Sequence, residues 1–496
     1  MNDFYSAGLQ DDKFSLLYNI NSNVNIAVRT PVGKTARASI NNAITQGDVF
    51  GAMFCSKSVD TFGQECIEES RYTYIYRGEV EIPPLSMVDN LLCVSECGFK
   101  TKSVNAYITF KTDSKKLQFG AQKCKKLHVG KSKQNFKCQN LEVDYWKEFE
   151  VLNKETGEEE IIDVCDEKDK MEEKLDERYL GDIISVDGRN IRNIKARVSK
   201  ARGIISRILS ILDGIPFGQY YFEVALILRS SLLISSLLCN SESWYNVTKT
   251  ELDLLESVDL HFLRQILNVP KSTPKEMLFL EMGCLPLRHM IRKRRIMFLH
   301  YILNQDSNSM LYRFLMIQNK SRKKKDWIVQ VMTDLKELEM DENFEDIKNL
   351  KKLKLRKILD NKIKDNVFKE LIKQKENHSK VRNLQYDQFE MQNYLRPCKI
   401  QIRKEEAQEI FKLRSRVSNV KNNYKGKYET LECEICDKNE EESQKHILQC
   451  IKLNEKSEEI PEYEQIFYGN VKMKLAIARK FIENLKTRDK INNSKG

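Results

Sequence analysis

Four residues near the C-terminal end have the types and the spacing of a metal-binding set. They are Cys433, Cys436, His446 and Cys450, in the pattern Cys-x2-Cys-x9-His-x3-Cys. Structural zinc sites take four sulfur or nitrogen ligands in a tetrahedron, and a Cys-x2-Cys turn presents two thiolates together. The pattern therefore predicts one structural Zn²⁺, with no open position for catalysis. The alternative is coincidence, because the chain contains 13 cysteines and short motifs give false positives.

A second candidate site is the carboxylate of Asp89. Residues 85–94 form two short apolar arms around Asp89-Asn90, a pair that favours a hairpin turn because both residues tolerate positive φ. Two-metal polymerases hold carboxylates at such a tip, where they ligate Mg²⁺. A lone aspartate in a turn is more often ordinary turn chemistry. The pair Gln46-Gly47 is also weak in isolation, since it is typical of a turn or of the start of a helix.

Basic residues form a third candidate site, on one predicted helix. Five of them could follow the phosphates of a nucleic acid: Arg288, Arg292, Lys293, Arg294 and Arg295. The alternative is a solvated helix face, which is the more common role of such a run. A second basic run, 320–325, marks a predicted domain boundary.

The net charge of +11 favours a polyanionic partner. The charge is uneven, because residues 148–178 contain 14 acidic and 5 basic residues, which leaves +20 for the rest of the chain. RNA or DNA is therefore favoured over a membrane. The longest apolar stretch, Val224 to Leu238, is interrupted by Arg229 and four serines, so it predicts a buried helix and not a membrane span.

Two further features predict an intracellular location, in the nucleus or the cytoplasm. The chain opens with Met1-Asn2-Asp3, which is not a basic leader, and no apolar run follows it. The 13 cysteines are odd in number and mostly scattered, as is typical of free thiols in a reducing compartment.

The spacing of apolar residues predicts an α+β fold. Alternation predicts strands over 23–29, 72–82 and 124–129, and a helical period begins at residue 190. Helices are predicted over 190–213, where Gly214-Ile215-Pro216 ends the helix, and over 220–238 and 285–303. Two more helices are predicted from their caps. One begins within Thr248–Glu251, and the other begins with Thr273 as N-cap, followed by Pro274 and Glu276. On the first helix, Lys195, Lys200, Arg202 and Arg207 lie largely off the apolar stripe.

Six motifs, taken in order across about residues 40–450, resemble the C-terminal two-thirds of a non-LTR retrotransposon reverse transcriptase. They are similar to its Gln-Gly motif, its catalytic turn, its lysine-containing palm strand, the entry to its thumb, a tryptophan motif of its helical region and its zinc knuckle. The Gln-Gly motif corresponds to Gln46-Gly47-Asp48-Val49-Phe50-Gly51, and the catalytic turn to Met87-Val88-Asp89-Asn90. The palm strand corresponds to Gln122-Lys123-Cys124 with Leu127-His128-Val129-Gly130, and the entry to the thumb to Tyr179-Leu180-Gly181-Asp182. The tryptophan motif corresponds to Asn240-Ser241-Glu242-Ser243-Trp244, and the zinc knuckle to the Cys-Cys-His-Cys set.

The resemblance implies a domain order and a chemistry. The implied domains are a partial palm (1–147), an acidic connector (148–178), a helical thumb (179–318), a basic helical extension (319–425) and a zinc knuckle with a C-terminal helix (426–496). The implied reaction is RNA-directed DNA synthesis with two Mg²⁺ ions. In it Asp89 binds magnesium, Gln46 and Gly47 position nucleotide and template, and Lys123 neutralises leaving-group charge.

Departures from the family pattern predict impaired catalysis. No sequence before Gln46 fits the motif that carries the family's first catalytic aspartate, and the catalytic turn reads Asp89-Asn90 where the family has two aspartates. One carboxylate is a poor two-metal site. We therefore expect a reverse-transcriptase fragment that retains nucleic-acid binding. The alternatives are a non-enzymatic RNA- or DNA-binding zinc protein and a degenerate remnant.

Overall fold

The computed structural model describes residues 172–495 except 216–217, 341–342, 397–398, 437 and 456–458. Of the preceding part it describes 24–27, 29–30, 33–36, 38–40, 73–87, 90–96, 125–127, 148–152, 159–163 and the single positions 12, 15, 56, 63, 68, 104, 107 and 108. The chain divides into two compact units. The N-terminal unit comprises Met1–Glu177, Ser185–Gly188 and Ser307–Ile317, and the helical unit comprises Arg178–Ile184, Arg189–Asp306 and Gln318–Gly496.

The described strands are short and pair in twos. They are β1 (Val24–Ile26), β2 (Arg29–Thr30), β3 (Gly33–Lys34), β4 (Ala38–Ile40), β5 (Tyr74–Tyr76), β6 (Val80–Ile82), β7 (Leu85–Met87), β8 (Asn90–Leu92), β9 (Lys125–Leu127), β10 (Glu148–Leu152), β11 (Glu159–Asp163), β12 (Glu172–Lys174), β13 (Asp176–Tyr179) and β14 (Asp182–Ser185). The pairs β1–β4, β2–β3, β5–β6, β7–β8 and β10–β11 are antiparallel, and β9 pairs with β12 in parallel.

The prediction of one strand over 72–82 is wrong, because the chain reverses within it. β5 and β6 are the two arms of a hairpin, closed by a hydrogen bond of 3.1 Å from Glu79 N to Tyr76 O. Arg77 and Gly78 take φ angles of 51° and 74°, the left-handed values that a tight hairpin turn requires. The apolar alternation resumes in the same phase after Gly78, so the periodicity alone did not reveal the reversal.

The two arms of the predicted hairpin around Asp89 are confirmed. β7 and β8 pair antiparallel with Met87 opposite Asn90, so Asn90 is the first residue of the second strand. Asp89 itself lies outside the described residues. The acidic connector also contains a hairpin, in which Glu148 of β10 pairs with Asp163 of β11.

Helices dominate the rest of the described chain. They are α1 (Ile191–Asp213), α2 (Gly218–Leu228), a π-helical turn (Arg229–Ile234), α3 (Ser235–Leu237), a 3₁₀ turn (Ser241–Ser243), α4 (Lys249–Leu267), α5 (Lys275–Met282), α6 (Leu287–Leu303), α7 (Met310–Ser321), α8 (Trp327–Glu337), α9 (Phe344–Asn349), α10 (Lys352–Lys375), α11 (Lys404–Ser415), a 3₁₀ turn (Lys421–Lys427), α12 (Gln444–Gln449), a 3₁₀ turn (Ile451–Leu453), α13 (Gln465–Tyr468) and α14 (Val471–Lys495). With the strand pairs they make an α+β fold that is mostly helical.

Local signals fix some of the helix starts. The predicted cap of α4 is confirmed: Thr248 Oγ1 accepts a hydrogen bond from Glu251 N, and the Glu251 carboxylate accepts one from Thr248 N. The predicted cap of α5 is wrong. Pro274, with an extended ψ of 131°, stands at the N-cap, and the helix begins one residue later at Lys275. The buried Thr273 hydroxyl makes no hydrogen bond to a described residue.

Among the described residues one helical window, Tyr220–Leu237, is long and apolar enough to cross a membrane by length and composition, and 39% of it is buried. A core helix passes the same test. Inside this window Arg229 is buried, and its guanidinium donates two hydrogen bonds of 2.6 Å to Asp259 and one of 3.0 Å to the carbonyl of Leu285. Such a pair is stable in a core only when its hydrogen bonds are satisfied. These contacts favour the predicted buried helix.

Two segments that carry the sequence resemblance meet in the helical unit. Asp182 Oδ2 accepts a hydrogen bond of 2.6 Å from Asn240 Nδ2, across 58 positions of sequence. Its Oδ1 accepts bonds of 2.6 Å from Asn193 and 2.5 Å from Arg197. The Arg197 guanidinium lies 5.6 Å from the ring centroid of Trp244. The segments before α1 and after α3 are therefore joined by one polar cluster.

A second polar cluster attaches the C-terminal part of the chain to α5. Glu281 is fully buried and accepts hydrogen bonds from Tyr386 Oη (2.5 Å), Tyr394 Oη (2.6 Å) and Arg414 Nε (3.0 Å). Arg414 also donates to the carbonyl of Ile466 at 3.1 Å. Because every charge here is paired inside the core, removal of one partner leaves the others buried without compensation.

Candidate metal centre

The four predicted ligands converge on one buried cluster. Their donor atoms, three cysteine Sγ atoms and one ring nitrogen of His446, all lie within 4.8 Å of one another. None of the four residues is more than 8% exposed. Nε2 of His446 lies 3.4 Å from Sγ of Cys436. The cluster could hold a metal ion, as the spacing predicted.

A short hairpin carries the first two cysteines. Cys433 N donates a hydrogen bond of 2.9 Å to Glu440 O, and Glu432 and Glu441 form an isolated antiparallel bridge. Cys436 lies between the two arms. The hairpin therefore carries two of the four donor atoms that lie within 4.8 Å of one another.

Helix α12 supplies the other two ligands. Ser443 caps it, because its Oγ accepts a hydrogen bond of 3.1 Å from His446 N. His446 lies in the first turn and Cys450 directly follows the last residue of the helix. At 3.6 residues per turn the two are about one turn apart, so both side chains can face one ion. Ile447 and Leu448, between them, are fully buried.

The centre is built into the helical unit. Asn484 of α14 donates a hydrogen bond of 2.9 Å to the carbonyl of Ile447. Asn454 donates bonds of 3.0 Å and 2.8 Å to the carbonyls of Leu448 and Cys450. These bonds help to satisfy the backbone oxygens at the end of α12, which have no partner within that helix. Helix α12 is thereby held against α14 by Asn484, and the Cys450 backbone is held by Asn454.

Glu440 orients the histidine ligand. Its Oε2 lies 2.7 Å from Nδ1 of His446, on the opposite side of the ring from the cysteines. An acceptor at this distance requires a proton on Nδ1, which leaves the Nε2 lone pair for a metal. The sequence analysis did not single out Glu440. It stands in a run of three glutamates, 440–442, and spacing alone does not distinguish which of them reaches the ring.

Burial raises the pKa of the Cys433 and Cys450 thiols, and neighbouring thiols of the cluster add to the rise. The pKa of Cys450 reaches about 11. At neutral pH the Cys433 and Cys450 thiols of the metal-free cluster are therefore protonated, whereas a coordinating thiol is deprotonated by the ion. Three sulfur donors and one nitrogen donor fit a closed tetrahedral site for a soft-ligand metal, with no position left for a substrate.

The predicted phosphate-binding residues of α6 make contacts inside the helical unit. Arg295 is buried and donates from Nε and Nη2 to both carboxylate oxygens of Asp334, at 2.7 and 3.1 Å. Arg292 contacts the same Asp334 at 3.4 Å and also Glu337. A bidentate pair of this kind is strong and specific in geometry. Arg295 therefore acts within the fold, and it cannot reach an external partner unless the core opens.

The other three residues of this set are also engaged. The acceptors are Glu256 for Arg288 (2.9 Å), Asp360 for Lys293 and the carbonyl of Leu238 for Arg294. These contacts join α6 to α4, α10 and the segment after α3. Contact of α6 with a nucleic acid stays a prediction. It requires these basic side chains to leave their acceptors in the fold and to bind phosphates instead.

Two other groups of basic residues are exposed. The first group is Lys320, Arg322, Lys323, Lys324 and Lys325; the second, at the start of α10, is Lys351, Lys352, Lys354, Arg356 and Lys357. None of these ten side chains forms an ion pair with a residue that the structure describes. Their charge is therefore available to a partner.

Four residues were predicted for polymerase chemistry. Gln46, Gly47, Asp89 and Lys123 lie outside the described residues. Magnesium binding by Asp89 therefore stays a prediction from the sequence. The part of the chain that the structure describes contains one cluster of potential metal ligands, the Cys₃His set.

No protein-family model, no curated protein and no solved structure matches this chain. The described part of the chain offers one closed Cys₃His cluster, and its cations are divided between ion pairs of the core and the exposed surface.

Proposed function

We infer that this chain is an intracellular nucleic-acid-binding protein whose Cys₃His centre holds a structural Zn²⁺. The observation that carries the inference is the exposure of the basic run 320–325. Its five cations face solvent without an acidic partner among the described residues. Like charges held this close repel one another, so the arrangement favours a polyanion that neutralises them.

Zinc is the metal that the donor set favours. Soft thiolate ligands and imidazole select zinc among the common divalent ions, and four protein ligands close the site. The role is structural, because the centre fixes α12 against α14 through the bonds of Asn484 and offers no open position. Reduced thiols require a reducing compartment, which supports a nuclear or cytoplasmic location.

The test is a binding titration of the full chain with labelled single-stranded RNA, single-stranded DNA and duplex DNA over a salt series. We expect affinity to fall steeply between about 50 and 200 mM salt, because released counterions set the slope. Neutralising Lys320, Lys323 and Lys324 together to glutamine should reduce that slope by about two. A chain that binds none of the three nucleic acids at low salt contradicts the proposed function.

The matched control removes the same charge elsewhere on the helical unit. Lys472, Lys486 and Lys490 of α14 are exposed and form no ion pair with described residues. We call their joint replacement by glutamine the α14 control variant. If it reduces the slope as much as the 320–325 variant does, binding depends on net charge alone.

A second candidate function is RNA-directed DNA synthesis, as the sequence resemblance implies. The contact between Asp182 and Asn240 favours it, since it joins two motifs of the resemblance in one cluster. In this function Asp89 holds Mg²⁺ and Lys123 faces the leaving group, while Gln46 and Gly47 position the nucleotide. We expect no extension of a primed RNA template with Mg²⁺, because Asn90 leaves one carboxylate at the turn. Synthesis that Asp89→Ala abolishes establishes the polymerase and contradicts this expectation.

A further inference from the structure

Helix α1 has one face whose residues are exposed. Its buried side includes Ile194, Ala201 and Ile208, together with Arg197, which is paired with Asp182. Four basic side chains point outward: Lys195, Lys200, Arg202 and Arg207 are exposed, whereas Arg192 at the start of the helix is half-buried. At 3.6 residues per turn, positions seven apart lie almost above one another. Lys195 and Arg202 therefore form one row, and Lys200 and Arg207 form a second.

Small residues separate the two rows. Ser199, Gly203 and Ser206 are exposed and lie between them on the helix surface. The two rows of long cationic side chains thus lie on either side of a strip of small residues, and we call these seven residues the α1 basic face. From Lys195 to Arg207 it extends roughly 18 Å at 1.5 Å per residue.

The cations of this face have no acidic partner among the described residues. Asp213 is the acidic residue of α1; it lies at the last position of the helix, and its carboxylate lies 3.9 Å from Lys404. The contrast with α6 is direct, because there the basic side chains are engaged by carboxylates and a carbonyl of the fold. The α1 basic face therefore keeps its full charge at the surface.

The glycine at position 203 independently indicates an external partner. Glycine in a helix interior is less stable than alanine. A Cβ at Gly203 meets no described atom within 4 Å, and its φ is not in the left-handed range, so the internal packing gives no reason for glycine. A residue without a side chain at the centre of an exposed cationic face allows close approach of an external backbone.

We propose that the α1 basic face is the surface on which the sugar-phosphate backbone of a nucleic acid lies. The proposal rests on the proposed function and adds its site. The two rows contact successive phosphates from both sides, and exposed hydroxyl groups such as that of Ser199 donate to phosphate oxygens, contacts that fix position without reading sequence. At one phosphate per 3.4 Å of a strand, the face accommodates about five phosphates.

The first experiment compares two variants of the full chain that lose three charges each. One replaces Lys195, Arg202 and Arg207 by glutamine, and the other is the α14 control variant. The probes are short fluorescein-labelled RNA and DNA. The α1 variant should bind them at least tenfold more weakly than the wild-type chain does, and the slope of its affinity against salt concentration should be lower by about two to three. Equal weakening by the control variant overturns the proposal and leaves the proposed function standing, whereas a wild-type chain that binds neither probe overturns the proposed function itself.

The second experiment changes shape without changing charge. Gly203→Gln places an uncharged side chain on the strip of small residues, where its Cβ meets no described atom within 4 Å. Because glutamine is a better helix former than glycine, the melting temperature should stay the same or rise. Binding should weaken severalfold with little change in the salt slope. Unchanged affinity in a folded Gly203→Gln variant means that no backbone approaches the helix closely, and it overturns the proposal.

Discussion

The Nδ1 atom of His446 lies 2.7 Å from Oε2 of Glu440, so that the carboxylate fixes which ring nitrogen faces the three thiols. We expect Glu440→Gln to lower the Zn²⁺ affinity of the full chain by about 10–100-fold, the usual effect of removing an outer-shell partner. Competition with a chromophoric chelator measures this. Glu441→Gln is the control, since Glu441 is exposed and accepts a hydrogen bond from Asn422 instead. Equal affinities of the two variants contradict the assigned role of Glu440.

Metal content tests the centre itself. The purified full chain should contain one Zn²⁺, and His446→Ala or Cys450→Ser should lower the content strongly, because three ligands bind far more weakly than four. Cys239→Ser, which changes an exposed free cysteine, should retain the metal. Elemental analysis after gel filtration provides the measurement. Equal zinc content in all four proteins means that the metal is bound elsewhere.

Removing the metal should also loosen the packing around it. A structural zinc site contributes on the order of 10 kcal/mol to local folding. Since Asn484 joins α14 to α12, chelation should increase hydrogen exchange in 431–454 and in α14. Exchange in α4 and α5 should change little. Uniform protection before and after chelation contradicts a structural role of the ion.

The raised thiol pKa values predict the direction of pH effects. Zinc binding displaces protons from the Cys433 and Cys450 thiols, which are neutral in the metal-free fold, so zinc affinity should increase as the pH rises from 6 to 8. Folding of the metal-free chain has the opposite dependence. Because burial raises the pKa of Cys450 from 9.0 to about 11, its stabilising contribution is complete below pH 9 and is lost as the pH rises to about 11. Chelator competition and urea unfolding at these pH values measure the two effects, and a zinc affinity independent of pH contradicts the first.

The ion pair between Arg295 and Asp334 predicts that its loss lowers the stability of the helical unit and does not act through nucleic-acid binding. Asp334→Ala leaves a buried guanidinium without its partner, which should destabilise the helical unit by about 3–5 kcal/mol. Asp360→Ala removes a partner of Lys293 at the surface and should cost at most about 1 kcal/mol. Urea unfolding followed by circular dichroism compares them. A small effect of Asp334→Ala means that Arg295 is not held as the structure places it.

Local features of this chain were predictable from the sequence. The Cys₃His ligands lie within 18 residues, and the capping box of α4 is confined to Thr248–Glu251, so short-range chain geometry is enough to bring the partners together. The reversal at Arg77-Gly78 is also local, but the alternating apolar pattern on both sides of it concealed the turn. The same limitation applies to α5, where Thr273 has the right type for a cap but the helix begins after Pro274.

The sequence by itself determined the four potential metal ligands, the helical character of the second half of the chain and its excess of positive charge. Only the tertiary structure decided which of those charges are free to act. Arg202 and Arg295 stand in similar basic helices, yet Arg202 faces solvent and Arg295 is bound to Asp334, 39 positions away. The physical reason is that an ion pair depends on which helices pack together. That choice is made by the apolar faces of distant segments, not by the residues next to the charge.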